Sequence, residues 1–265
     1  MRPTLLQIGQ RTVRSYTLLL DLGLLMGLGV FAWRARCRIA RPDRWLDAAL
    51  AALAAGVLGA RLGYVWAHWP YFQERSGQIL KFWRGGLSWH GALVGGLLGL
   101  GLYCWLRKLS FWRVADELAL VAPLVGTAAW LGCLLAGCAY GREMDQAHWM
   151  AADLPDVFGV WALRANVQLL AAGWSLLVAG VLWGLRRPLP DGMRLALFLL
   201  LYGAGLACID PFRGDAVPHW GAWRADVVLD WMAAAGGGLI IGVVWLRGLV
   251  LPLRGELEGG PAPKY

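Results

Sequence analysis

Residues 85–96 read GGLSWHGALVGG and place a single histidine, His90, at the start of a long apolar run. Within residues 87–106 its only titratable neighbours are one tyrosine and one cysteine. A run of about 20 apolar residues is long enough to cross a bilayer as an α-helix. An ionisable group at the end of such a helix, beside glycines that let other atoms approach the backbone, is a candidate functional residue. The alternative is a histidine that lies among lipid headgroups and is hydrogen-bonded to water.

Hydropathy extends this pattern to the whole chain. Apolar residues make up 58% of the 265 residues and the mean hydropathy is +0.52, whereas soluble domains contain roughly 45–50% apolar residues. Long apolar runs occur near residues 15–33, 46–69, 88–106, 115–140, 167–185, 195–209 and 227–246. The sequence therefore predicts an all-α, polytopic membrane protein with about seven transmembrane helices. Because the first run carries Asp21 and no small-residue cleavage site follows it, we expect no cleavable signal peptide.

The distribution of Lys and Arg predicts the orientation of these helices. Positive charge is denser in the segments 34–44, 107–113, 186–194 and 247–265 than in the loops between them. The denser set is expected on the cytoplasmic side. This places the N-terminus outside, the C-terminus in the cytoplasm and His90 near the outer surface. The net charge of +8 is then explained by topology and by anionic lipid, and nucleic acid is not an expected partner.

The chain shows no repeat or linker that would divide it, so we expect one transmembrane domain over residues 1–254. The segment 141–166 is the longest outer loop. Its mixture of aromatic and acidic residues suggests a lid or a small arm that lies on the membrane. Residues 255–265 contain Gly-Gly-Pro-Ala-Pro and are expected to form a disordered tail.

The five cysteines have no spacing typical of a metal site. Cys133 and Cys138 are five residues apart, which places them poorly for one face of a helix. The favoured interpretation is that both are small buried residues. A disulfide between them stays possible if the helix breaks near Gly137.

Charged residues inside or at the ends of the apolar runs are the candidates for chemistry. Arg61 lies well inside the second run, where an arginine is costly unless it faces protein, water or an anion. Two alternatives stay open for it, an ion pair with Asp21 and the binding of an anion. After the sixth run, Asp210 and Arg213 flank a proline that ends the helix. Arg213 could hold a phosphate through its planar donor fork, or it could be a solvated loop residue.

These segments together resemble the prolipoprotein diacylglyceryl transferase family. The matching segments are VRSYTLLLDLG with Tyr16, GARLGYVW with Arg61, ILKFWRGGLSWHGALVGG with His90, LAGCAYGR ending in Gly141-Arg142, RANVQL at 164–169, and YGAG…DPFRGD with Asp210 and Arg213. The family's usual His-Gly-Gly is here His90-Gly91-Ala92. The matches follow the family order along nearly the whole chain, which makes them more specific together than any single motif.

The resemblance implies a multi-pass enzyme of the bacterial inner membrane whose site faces the periplasm and which needs no cofactor and no metal. It would transfer the diacylglyceryl group of phosphatidylglycerol to the lipobox cysteine of preprolipoproteins, with glycerol phosphate as the leaving group. Its partners would be phosphatidylglycerol, lipobox segments and membrane lipids. Such a reaction needs a thiolate, an oriented glycerol carbon and cations for the departing phosphate.

Site residues follow from the same resemblance. His90 and Asp210 are the expected catalytic residues. Histidine suits the role of the thiol's base because an unperturbed imidazole has a pKa of about 6.5. The expected substrate-binding residues are Tyr16, Arg61, Gly91, Gly141, Arg142 and Arg213.

The sequence also departs from the family pattern. The usual Arg-x-Gly-Asn of the fourth span reads Trp130-Leu131-Gly132-Cys133, and the acidic residue after it is Cys138. In the sixth span a second arginine is replaced by Leu206, and the glutamate after it is shortened to Asp210.

Three interpretations therefore stay open. They are an active but divergent transferase, an enzyme of the same fold with another lipid or acceptor, and a non-catalytic paralogue that binds phospholipid or a partner.

Overall fold

The computed structural model describes residues 4–8, 11–38, 42–81, 85–146, 148–185 and 188–257. Its helices are α1 (Ser15–Arg38), α2 (Pro42–Ala67), α3 (Trp69–Glu74), α4 (Trp89–Arg107), α5 (Phe111–Ala136), α6 (Val167–Gly184), α7 (Met193–Ile209) and α8 (Ala225–Leu257). Within the described ranges, the seven helices other than α3 are long and apolar enough to cross a membrane. The prediction of seven spans is confirmed, and the protein is a multi-pass membrane protein.

Local sequence signals explain where the helices at the site begin and end. Ser88 precedes α4, and its side-chain oxygen accepts a hydrogen bond from the backbone N–H of Gly91 at 3.3 Å. Asn166 caps α6 in the same way through the N–H of Leu169 at 3.1 Å. Both are oxygen-bearing residues of the kind that satisfies the free N–H groups of a first helical turn. Helix α5 ends at Gly137, which has a left-handed φ of 74°.

The helices alternate in direction, so one end of the bundle collects the first residues of α1, α4, α6 and α8 and the last residues of α2, α5 and α7. We call this the His90 end. Three antiparallel hairpins adjoin it: β1 (Thr4–Ile8) with β2 (Arg11–Arg14), β3 (Ala151–Pro155) with β4 (Trp161–Ala165), and β5 (His219–Trp220) with β6 (Trp223–Arg224). The expectation of an all-α chain missed these short strands. The first hairpin precedes α1, and the other two lie in the connections before α6 and α8.

The structure describes two segments that the sequence analysis had set apart, the outer loop 141–166 and the beginning of the tail 255–265. The β3–β4 hairpin lies within the loop 141–166 that was expected to form an arm. Helix α8 continues to Leu257, so it includes the first residues of the expected tail 255–265. Residues 258–265 lie outside the described residues.

Helices α2 and α4 pack backbone to backbone. A side chain at Gly91 would collide with the carbonyl of Gly59, and one at Gly95 would lie 2.5 Å from the carbonyl of Ala55. Small residues allow this close approach in membrane helices. The packing fixes the first turns of α4, and therefore His90, against α2.

The opposite end of the bundle is held by a buried carboxylate. Asp116 on α5 is 4% exposed and accepts the backbone N–H groups of Gly192 and Leu195, each at 2.8 Å. It thereby satisfies donors at the beginning of α7. At the same end, Arg34 and Glu117 form an ion pair of 2.6 Å between α1 and α5.

Candidate active site

His90 contacts a carboxylate from the last helix. Its Nε2 atom lies 2.8 Å from Oδ1 of Asp230 on α8, and the indole Nε1 of Trp89 donates to the same oxygen at 3.2 Å. The side chain of Asp230 is fully buried, whereas that of His90 remains 14% exposed. The imidazole is therefore fixed on one side by a buried charge and open on the other.

Two carboxylate oxygens near His90 are buried without a hydrogen-bond partner among the described residues. They are Oδ2 of Asp230 and Oδ1 of Asp210, which follows the last turn of α7. A buried acceptor without a donor costs about 1–3 kcal/mol. Each oxygen is therefore a position at which a water molecule or a ligand hydroxyl can be bound.

Arg213 is surrounded by carboxylates. Its guanidinium donates to Asp215 through Nε at 2.9 Å and through Nη2 at 2.7 Å, and Nη1 lies 3.1 Å from Asp210 and 3.3 Å from Asp226. Burial lowers the pKa of Arg213, but the hydrogen bonds to Asp215 and the charges of the three carboxylates raise it by more. Arg213 therefore stays charged at any working pH.

A second arginine joins the same network. Arg224 donates to both carboxylate oxygens of Asp226, at 3.2 and 3.0 Å, and to Asp215 at 3.3 Å. It also donates to the carbonyls of Arg213 and Asp215, each at 3.2 Å. With all three aspartates ionised, the two arginines are outnumbered by three carboxylates, and their donors are largely occupied.

Arg142 is the exposed cation beside this network. Its guanidinium carbon lies 4.9 Å from the centre of the Phe212 ring, and its side chain has no described carboxylate within ion-pair distance. Its backbone N–H donates to the carbonyl of Phe212 at 2.9 Å. Gly141 forms an isolated β-bridge with Arg213, and a side chain on Gly141 would collide with the carbonyl of Ala165. The glycine is therefore required for the backbone packing that places Arg142 next to Arg213.

Tyr16 on α1 and Trp130 on α5 lie at the His90 end. Gly132 packs on the backbone of Tyr16, since a side chain on that glycine would lie 3.1 Å from the Tyr16 Cα atom. Two residues earlier on α5, the ring centre of Trp130 lies 5.9 Å from the guanidinium carbon of Arg213.

Arg61 binds loop carbonyls. It donates to Gln78 and Ile79, each at 2.7 Å, and to Gly85 and Gly86 at 2.8 and 3.0 Å. The Phe72 ring lies 5.2 Å from its guanidinium carbon. Asp21 is exposed on α1, and no ion pair forms between these two described residues. The Arg61–Asp21 alternative is therefore wrong, and four acceptors of the connection before α4 occupy the guanidinium.

Cys133 and Cys138 form a disulfide. The favoured interpretation of two small, unlinked residues is wrong, and the physical reason is the break at Gly137. The left-handed glycine turns the chain back so that the two sulfur atoms meet, and the N–H of Cys138 donates to the carbonyl of Cys133 at 3.1 Å. The disulfide closes the turn immediately before Gly141 and Arg142.

An apolar cavity of about 140 Å³ begins two residues after His90 along α4. Ala92, Gly96 and Leu100 line it from that helix, and α2, α5 and α7 provide the other walls. It extends into the span beneath the polar cluster and offers only hydrocarbon contacts.

Comparison with known proteins assigns this arrangement to a family. The model of the prolipoprotein diacylglyceryl transferase family matches residues 3–245. The chain belongs to the prolipoprotein diacylglyceryl transferase family. It is 31% identical to the phosphatidylglycerol–prolipoprotein diacylglyceryl transferase of Symbiobacterium thermophilum, over 97% of this chain and 95% of that protein. The protein of the same name from Synechococcus elongatus is 30% identical over 93% of this chain and 88% of its own length.

In this member of the prolipoprotein diacylglyceryl transferase family, Leu206 and Trp130 lie at the two positions where the resemblance led us to expect arginine. Leu206 is 2% exposed and belongs to the apolar core, and Trp130 faces Arg213 with an aromatic ring. Neither side chain brings positive charge to the site. The carboxylates around Arg213 are therefore not balanced by a further arginine from these two positions.

Several residues of the site were missed by sequence reasoning in this family member. They are Trp89, Arg224, Asp226 and Asp230. A signal for Asp230 was present, because it is an ionisable residue inside the seventh apolar run. Its partner is separated from it by 140 residues, so the pairing could not be inferred from spacing.

Proposed function

We propose that the protein transfers the diacylglyceryl group of phosphatidylglycerol to the lipobox cysteine thiol of preprolipoproteins. The observation that carries the proposal is the position of the His90 imidazole in the first turn of α4. The ring is bound to a buried carboxyl group on one side and is partly exposed on the other. Family membership over nearly the whole chain supports the same reaction.

In this reaction His90 accepts the proton of the cysteine thiol. The thiolate attacks the carbon of the diacylated glycerol that carries the phosphate ester, a carbon–sulfur bond forms, and the bond between that carbon and the phosphate oxygen breaks, while the thiol proton stays on His90. The products are a thioether on the cysteine and glycerol phosphate. A positioned general base of this kind accelerates such a step by roughly 10²- to 10⁴-fold.

The headgroup glycerol of phosphatidylglycerol carries two hydroxyl donors. We place them at the unpartnered oxygens Oδ1 of Asp210 and Oδ2 of Asp230. Asp210 would thus touch the substrate directly while its other oxygen holds Arg213 at 3.1 Å. The apolar cavity beneath His90 would receive part of an acyl chain.

The departing phosphate needs positive charge, and Arg142 is the cation that can supply it without breaking an ion pair. Arg213 can bind the phosphate as well if the phosphate displaces Asp215 from the guanidinium fork. Tyr16 would form the wall opposite these arginines, and Gly91 and Gly141 permit the backbone packing that shapes the site. Arg61 would contribute to substrate binding by fixing the connection that leads into α4.

We also propose that the His90 end faces the periplasm of a bacterial inner membrane, with the N-terminus outside and the C-terminus in the cytoplasm. The denser positive charge of the loops at the opposite end supports this orientation. The orientation can be tested in spheroplasts with a membrane-impermeant maleimide. A cysteine introduced at exposed His148 should be labelled, whereas one at exposed Asp191 should react only after lysis.

The activity is tested with the purified protein in vesicles of phosphatidylglycerol and a lipobox peptide. The wild-type protein should add one diacylglyceryl group to the peptide cysteine, detected by mass spectrometry, and His90→Ala should abolish the product. His68→Ala is the matched control, because His68 lies at the same end, between α2 and α3, and its ring stacks on Tyr64 with Nδ1 3.0 Å from the Tyr64 carbonyl. Binding of phosphatidylglycerol without any thioether would instead favour the non-catalytic interpretation.

A further inference from the structure

Asp230 is a fully buried carboxylate in a membrane-spanning helix. A charge in this position is retained only with a partner, because removing it from water costs several kcal/mol. The partner groups are donors from two consecutive residues of α4, His90 Nε2 and Trp89 Nε1, which share the oxygen Oδ1. The pair joins the third and the seventh spans next to the proposed reaction centre.

The contact determines which nitrogen of His90 is basic. An ionised carboxylate only accepts hydrogen bonds, so a neutral His90 donates from Nε2 to Asp230. Its lone pair then lies on Nδ1, on the side of the ring away from the carboxylate. When Nδ1 takes up a proton, the imidazolium faces Asp230 at 2.8 Å and is stabilised by its charge.

We propose that Asp230 is a positioning residue for diacylglyceryl transfer: it holds His90 in the tautomer with a basic Nδ1 and stabilises the imidazolium formed when the thiol is deprotonated. This inference rests on the proposed function, since it assigns a partner to the proposed base. Trp89 assists by holding the shared oxygen in place.

Other charged or titratable groups near the pair lie on or next to α2, α7 and α8. Arg61 on α2 lies against Gly86, four residues before His90, and its donors bind backbone carbonyls. Tyr202 and Asp210 on or next to α7 lie close enough to feel the charge of Asp230. Asp226, one turn earlier on α8, is bonded to Arg224. Since no arginine or lysine contacts Asp230 itself within the described ranges, His90 is the group whose charge it can balance.

Asp116 provides a matched control within the same chain. It is also almost fully buried in a membrane-spanning helix, but its two oxygens accept backbone N–H groups at the opposite end. Replacing Asp116 by Asn should affect stability without affecting the protonation of His90.

The test compares Asp230→Asn, Asp230→Glu and Asp116→Asn in the vesicle assay across pH. Asn keeps an acceptor for Nε2 but removes the charge. We therefore expect kcat to fall roughly 10- to 100-fold with little change in KM for phosphatidylglycerol. The acidic limb of the pH–rate profile should move to lower pH, because the imidazolium loses its counter-charge. Asp230→Glu should recover part of the rate, and Asp116→Asn should leave the pH profile unchanged.

A second measurement does not depend on activity. The four histidines of the chain are labelled with ¹³C, and the His90 signal is assigned by its absence in His90→Gln. Its titration midpoint should lie at lower pH in Asp230→Asn than in the wild type or in Asp116→Asn. An unchanged midpoint would overturn the inference, as would a rate and a pH–rate profile of Asp230→Asn equal to those of the wild type. A shifted midpoint in a protein that forms no thioether would leave the pairing in place and contradict the proposed function.

Discussion

The guanidinium carbon of Arg213 lies 5.9 Å from the centre of the Trp130 ring. The resemblance to the family led us to expect an arginine at the position of Trp130, whose aromatic ring brings no positive charge. The same guanidinium is bonded to three aspartates. The donors of Arg213 are thus occupied by carboxyl groups and Trp130 adds no second cation, so we expect a weak affinity for phosphate.

Trp130→Arg should strengthen the binding of phosphatidylglycerol. The new guanidinium would lie beside a network with one more carboxylate than arginine and near the unpartnered Oδ1 of Asp210. A charge-assisted hydrogen bond of about 1.5–3 kcal/mol corresponds to roughly a 10- to 100-fold lower KM. Trp130→Phe, which keeps an aromatic ring, is the control. Equal KM values for the two variants would contradict the prediction.

Adding Leu206→Arg to Trp130→Arg should be harmful. Leu206 is 2% exposed within the apolar core, and a guanidinium there would be buried without a prepared partner. The double variant should therefore unfold at a lower temperature in detergent than Trp130→Arg alone. A double variant that is both stable and more active would show that α7 can turn this position toward the polar cluster.

Arg61→Lys should disturb the connection before α4. Lysine keeps the charge, but its single ammonium group cannot donate to all four carbonyls that the three nitrogens of the planar guanidinium bind. We expect faster proteolysis between residues 75 and 86 and roughly tenfold lower activity. Arg75→Lys is the control, because Arg75 is exposed and stacks on Tyr71 at 4.6 Å. A higher KM for phosphatidylglycerol with unchanged proteolysis would instead indicate that Arg61 binds the phosphate.

Gly91→Ala should separate α4 from α2 at the His90 end. The added methyl group meets the carbonyl of Gly59, which is backbone and cannot rotate away. Overpacking of this kind costs about 1–3 kcal/mol of stability, and activity should fall because His90 is the preceding residue. Gly180→Ala on α6 has open space around it and should be neutral or slightly stabilising. The free energy of unfolding in detergent distinguishes the two variants, and similar values for both would contradict this account of the helix packing.

Reduction of the Cys133–Cys138 disulfide should loosen the turn that precedes Arg142. Closing a loop of this size stabilises a chain by about 2 kcal/mol. A reductant should therefore lower the unfolding temperature of the wild type but not that of the Cys133→Ser, Cys138→Ser double variant. Cys37→Ser, which removes an exposed free thiol, should respond to the reductant like the wild type. Identical unfolding of the wild type with and without reductant would argue against the bond.

The fold could be predicted from the sequence because length and hydropathy alone define a membrane-spanning helix. The three hairpins could not, since strands of two to five residues in polar connections leave no periodic pattern. The caps Ser88 and Asn166 were not identified from the sequence, and the break at Gly137 was only the less favoured of two alternatives.

The site was only partly predictable, for a different reason. His90, Asp210, Arg142 and Arg213 lie in recognisable motifs. The partners of His90 and Arg61 depend on how distant helices and loops meet. Asp230 is separated from His90 by 140 residues in the sequence. Arg61 binds backbone carbonyls, which every residue carries, so the residue types gave no signal for this contact.

The central claim is that His90 activates a thiol that displaces glycerol phosphate from phosphatidylglycerol. The most direct test is a single-turnover reaction of the purified protein with a lipobox peptide and phosphatidylglycerol labelled in the headgroup glycerol. The account predicts one thioether-linked diacylglyceryl group for each labelled glycerol phosphate released, and neither product with His90→Ala. Thioether formation that persists in His90→Ala, or labelled glycerol phosphate released without modified peptide, would contradict it.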